Sequence, residues 1–163
     1  MLILILSLLG TGPALHPECE ARRPRVAHLS QVEGSEMLRV CSLLADEATR
    51  RRLPVGLTIE LAYGESRWKL GAVNPSSGCS GVMQVAPKFW CPRGTTDGCD
   101  LVDAGMVAWK HYWNKYSKQG SDPVRAFCHY KSGNRCTPLG LKQAKVTYAR
   151  FNQFLRNTGR PVE

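Results

Sequence analysis

The chain has 163 residues, 43% of them hydrophobic and 21% charged, with a formal net charge of +9. That length fits one compact domain with little room for a second core, and the composition excludes an intrinsically disordered chain. The basic surplus points to a polyanionic partner, whether nucleic acid, an acidic membrane surface or an anionic cell wall, without choosing among them.

The first element is the apolar run Leu2 to Leu9, followed by Gly12, Pro13 and Ala14. It is too short for a membrane span and reads as the core of a secretory signal, residues 1–14, cut after Ala14. No Lys or Arg precedes the run, and the alternative is a buried N-terminal segment. Residues 15–30 are rich in Pro, Arg and His and read as a loose basic approach to a folded domain over residues 31–160.

From Gln31 to Arg52 the apolar positions Met37, Leu38, Cys41, Leu44 and Ala48 recur at three- and four-residue steps, which predicts a helix. Pro54 ends that stripe and suits the first turn of a second helix running to about Ser66. Asn74 to Gly78 is a turn cluster, and a short helix is expected around Val82 to Val85. Pro87 to Asp100 carries Gly, Pro and two cysteines and reads as an irregular lobe. Further helices are expected over 101–118, with Val102, Met106, Trp109 and Trp113 on one stripe, over 123–130, and from about Lys142 to Leu155. No stretch alternates as a strand does, so the expected fold is mainly α.

Seven cysteines in so short a chain strengthen the export reading, since cytosolic proteins rarely keep disulfides. There is no CxxC pair and no zinc-like histidine spacing, so neither a metal nor another cofactor is expected. Two or three disulfides are expected, with Cys91 to Cys99 and Cys128 to Cys136 short enough for local bridges. The odd count leaves one thiol over.

Glu65 is the residue with chemistry in it. Leu57, Leu61 and Glu65 stand four apart, so the carboxyl continues an apolar stripe, a setting that raises a carboxyl pKa toward what a general acid needs. The structural alternative is a glutamate paired with Arg67 or Lys69 at a helix end. Around it, Gly64-Glu65-Ser66-Arg67 is followed by Asn74-Pro75, by Gly81-Val82-Met83-Gln84, and by His129-Tyr130-Lys131-Ser132-Gly133.

In that order these motifs resemble the lytic transglycosylase family, whose soluble catalytic domain has a goose-type-lysozyme-like fold. The resemblance covers about Leu53 to Leu155. It implies a lysozyme-like single domain that cleaves the β-1,4 bond between N-acetylmuramic acid and N-acetylglucosamine in peptidoglycan, leaving 1,6-anhydromuramoyl ends. It implies Glu65 as the catalytic acid/base, Ser66 as its neighbour orienting it or touching substrate, and Gly81, Met83, Gln84, Tyr130 and Gly133 as substrate-binding positions. Val82 stands where leucine is usual, a mild change; Lys131 stands where asparagine is usual, which removes an amide from the groove wall and adds a cation. Hydrolases place two carboxylates across the bond; a second one here would come from Asp97, Asp100 or Asp103, which also suit loop and helix-cap roles.

Trp68, Phe89 and Trp90 fall near the motifs as candidates for stacking on sugars, with packing the better role for Trp90; Trp109 and Trp113 read as core. The basic groups at Arg22, Arg23, Arg25 and Arg50 to Arg52 are either attractors of wall polymers or a solvated face, the latter favoured for Arg50 to Arg52. The partners that follow are glycan strands and, by family analogy, an envelope-spanning secretion or conjugation machine. Nucleic acid is not expected, since no recognition motif for it is present. The chain reads as a monomer exported to the periplasm or the extracellular wall space. A wall-binding accessory module without catalysis is the alternative from a different class.

Overall fold

Ser30 starts the first long helix by closing a capping box with Glu33, and α2 (Gln31–Arg50) buries Leu38, Cys41, Leu44, Ala45 and Ala48 along the stripe its sequence predicts. The structure is a computed structural model and describes residues 14–161. The expected signal, residues 1–13 of it, therefore lies outside the described residues.

Helix α3 (Val55–Ser66) differs in kind from α2. Leu57, Thr58, Ile59, Glu60, Leu61 and Ala62 are all buried, so the helix is enclosed nearly all round, as a central core helix is. It ends sharply because Arg67 and Trp68 both take positive φ, 56° and 60°. Around α3 pack α2, α5 (Leu101–Tyr116), α6 (Pro123–Ser132) and α7 (Pro138–Asn157). The short α1 (Pro17–Glu20) and α4 (Pro87–Trp90) complete the helices. Among the described residues the only β pairing is two isolated bridges, Val73 with Ser80 and Ser80 with Val85. The protein is a mainly helical single domain with its core where α2, α3, α5, α6 and α7 meet.

Four expectations are corrected. Residues 15–30 are not loose: α1 and a 3-10 turn at Arg23–Val26 lie against α2, tied by the Cys19–Cys41 disulfide. Arg22, which sequence offered as a surface attractor, is only 1% exposed; its guanidinium sits 3.6 Å above the Phe154 ring and bonds Glu18. Residues 82–85 form a tight loop rather than a helix. Ser80 and Val85 exchange backbone hydrogen bonds of 2.9 and 3.0 Å across it, and Gly81 and Gln84 hold φ of 79° and 50°, outside the right-handed helical region. The last helix begins at Pro138 rather than near Lys142, because Thr137 caps Gly140 and Pro138 fits the first turn.

Cys91–Cys99 and Cys128–Cys136 close the two short loops, and Cys79 is left free. The first of these pins the irregular stretch after α4. Three disulfides suggest an oxidising, exported environment. No described helix is long and apolar enough to cross a membrane.

Candidate functional site

The exposed end of α3 delivers Glu65. Leu57 and Leu61 on its stripe are buried, while the Glu65 side chain keeps 16% exposure at the wall of a cleft. Its partner is neither Arg67 nor Lys69. Lys131 of α6, which stands where the resembled motif has asparagine, donates to Oε1 from a side chain only 8% exposed.

The cleft has two parts. The larger, about 470 Å³, is walled by Asn74, Gln84, Trp90, Tyr112, Tyr130 and Gly133 around Glu65. The smaller, about 310 Å³, runs along α7 between Leu139, Lys142, Val146 and Arg150. Glu65, Lys131 and Gln143 line both, so the two parts meet at the ion pair.

Tyr130 stands beside that junction. Its hydroxyl donates to the Met83 carbonyl at 2.8 Å, and its ring meets Trp109 and Tyr112 edge-on. Burial, and then the nearby charge of Glu65, push the phenol well above its ordinary pKa, so it stays a neutral donor.

The remaining motif residues divide into wall and frame. Gln84 and Gly133 line the cleft. The Gln84 amide nitrogen is spent on the carbonyls of Ala72 and Gly81, both at 3.0 Å, which leaves its amide oxygen as the acceptor free of those bonds. Gly133 ends α6 with φ of 73°, donates to the His129 carbonyl at 2.7 Å, and meets the His129 ring through its own carbonyl.

Ser66, expected to orient Glu65 or touch substrate, and Gly81 and Met83, expected to touch substrate, line neither part of the cleft. The Ser66 hydroxyl donates to the Val82 carbonyl at 2.7 Å and accepts from the Lys69 amide, joining the end of α3 to the 80–85 loop. A Cβ on Gly81 would lie 2.7 Å from that of Leu101, so the glycine lets the loop sit against α5. Met83 is fully buried, its side chain packed where Gly105 leaves room. These three positions therefore serve the packing of α3, α5 and the 80–85 loop.

The aspartates do not face Glu65. Asp100 caps α5 by accepting from the amides of Val102 and Asp103 at 3.0 Å each. Asp103 pairs with Arg51 and Asp97 with Arg93. Glu65 is the one carboxylate lining either part of the cleft among the described residues. Of the aromatics, Trp68 is core, 1% exposed and bonded through Nε1 to the Ile59 carbonyl. Trp90, assigned to packing from sequence, lines the cleft as well as resting on His111 and Tyr112, and Phe89 stands 74% exposed at its edge.

Sequence reasoning missed a second glutamate on α3. Glu60 is fully buried and bonds Arg25 at 2.8 Å and Arg150 at 2.9 Å, with Arg22 at 3.9 Å. The signal was an acidic residue amid the mostly apolar stretch from Val55 to Ala62, with a basic segment upstream to answer it. No protein-family model, curated protein or solved structure matches the chain.

Proposed function

We propose that the protein is a peptidoglycan lytic transglycosylase with a lysozyme-like fold. The observation that carries the reading is a lone carboxylate in a two-part cleft, with the three sequence motifs converging on it. Glu65, Gln84, Tyr130 and Gly133 come from segments far apart in sequence and line the larger part of the cleft together. A single carboxylate suffices for glycosidic-bond cleavage when the substrate supplies the nucleophile, and the muramoyl 6-hydroxyl is placed to do so.

In that reaction Glu65 gives its proton to the glycosidic oxygen as the bond from C1 breaks. The 6-hydroxyl oxygen then bonds C1, and its proton returns to the Glu65 carboxylate. No water is consumed and the enzyme is regenerated. For Glu65 to begin protonated, Lys131 gives up its bond to Oε1 as substrate enters and the carboxylate takes a proton from solvent. Once the proton leaves, Lys131 returns to Oε1 and stabilises the charge that develops there. Tyr130, held to the Met83 carbonyl, fixes the 80–85 loop against the junction.

The same ion pair favours one rival. A glutamate committed to Lys131 is a structural contact in a wall-binding module that has no turnover. Mass spectrometry of soluble products from purified sacculi, comparing the mature chain with Glu65→Gln, separates the readings. Anhydromuramoyl ends lost in the variant are the expected result. Reducing ends, heavier by one water, mean hydrolysis; retention on sacculi with no release by either protein means the module.

A further inference from the structure

Lys131 has to leave Oε1 before Glu65 can carry a proton, and its surroundings limit where it can go. Its side chain is only 8% exposed, and an ammonium that far from water is not sustained without an acceptor. The residue that borders both parts of the cleft together with Glu65 and Lys131 is Gln143 of α7. Its side chain is exposed, and its amide makes no hydrogen bond among the described residues. The other polar groups of the α7 wall are closed to a cation. Lys142 and Arg150 are cations themselves, Arg150 held by Glu60 at 2.9 Å, and the buried Thr147 hydroxyl donates to the Gln143 backbone carbonyl at 3.1 Å. The free amide oxygen of Gln84 lines the larger part alone, whereas Gln143 borders the same two spaces as the lysine.

The neutrality of Gln143 has a consequence for the direction of travel. An ammonium bonded to an amide oxygen is held less strongly than one bonded to a carboxylate, so Glu65 recovers the lysine once it loses its proton. A carboxylate at position 143 would keep the lysine, and an aliphatic side chain would not receive it. Resting on the glycan-cleaving reading above, we propose that the Gln143 side-chain oxygen is a second seat for the Lys131 ammonium. The seat is occupied while Glu65 is protonated and vacated when Glu65 ionises. Gln143 is then a positioning residue: it acts on the acid through Lys131 and does not touch the scissile bond.

The crystal structure of the Glu65→Ala protein, which lacks the first seat, is the direct test. Lys131 Nζ is expected about 3 Å from Gln143 Oε1. Kinetics of Gln143→Leu, a substitution at an exposed position of α7, supply the second measurement. It is expected to lower kcat for product release about tenfold, the factor that one bond to a charged group represents, with KM unchanged. Three results overturn the inference and leave the glycan-cleaving reading standing: Nζ bonded to Gln84 or to solvent, a Gln143→Leu protein as fast as the wild type, or a loss confined to KM. Nζ seated on Gln143 with no Glu65-dependent release by the wild type removes that reading and keeps the seat.

Discussion

Glu60 and Glu65 lie five residues apart on one helix, and their replacement by glutamine is expected to have opposite consequences. Glu60 has no exposed side-chain surface and makes charge-assisted bonds to Arg25 and Arg150 at 2.8 and 2.9 Å, with Arg22 buried beside it. Each such bond contributes about 1.5–3 kcal/mol. In Glu60→Gln the amide keeps one acceptor oxygen but turns an NH2 group toward guanidinium, and leaves buried positive charge unanswered. Breaking a buried pair from one side costs about 3–5 kcal/mol, a large share of the roughly 5–15 kcal/mol that holds a domain together. For a chain of this size that lowers the melting temperature by about 10–15 °C. Glu65→Gln is expected to cost less than about 1 kcal/mol, because the amide oxygen still accepts from Lys131 and the pair opens on the cleft. Urea and thermal unfolding followed by circular dichroism compare the two variants, with product release as the second readout. Glu60→Gln unfolding no more easily than Glu65→Gln would refute the arginine-cage reasoning.

Acid should loosen the N-terminal brace through Glu18. Burial opposes its ionisation, yet the bonds from Arg22 and Arg160 hold its pKa below the ordinary 4.5. A depressed folded pKa contributes stability that is present above the unfolded value and lost as pH falls through the folded one, so Glu18→Gln should flatten the stability curve below about pH 5. Tyr130→Phe leaves the Met83 carbonyl without its donor, for an expected loss of about 1–3 kcal/mol in urea unfolding together with slower product release. Cys79, the free thiol, lines the larger part of the cleft. The unreduced, folded protein should therefore titrate one reactive thiol, and a bulky maleimide should block product release in the wild type while sparing Cys79→Ser.

Much of the frame was legible in the residues themselves. The apolar stripe of α2, the Pro54 break and the stripe of α5 depend on a 3.6-residue period that any neighbour with an apolar face satisfies. The short Cys91–Cys99 and Cys128–Cys136 loops were legible for a similar reason, since their closure is local. Glu65 was singled out because its stripe is written in three residues of one helix. Boundaries set by caps were less visible: Pro138 and Gly140 look like breakers, and become the first turn of α7 only because Thr137 supplies the cap.

What tertiary structure alone decided is which distant charges meet. The Cys19–Cys41 bridge converts a basic, proline-rich stretch into a packed brace that brings Arg22 and Arg25 to Glu60. Lys131 reaches Glu65 across 66 residues and Arg150 reaches Glu60 across 90. The physical reason is that an ion pair depends on the distance between groups and carries no sequence period. A pattern along the chain can say that a glutamate will lie against an apolar wall, but only the packing of α6 and α7 on α3 says which cation answers it.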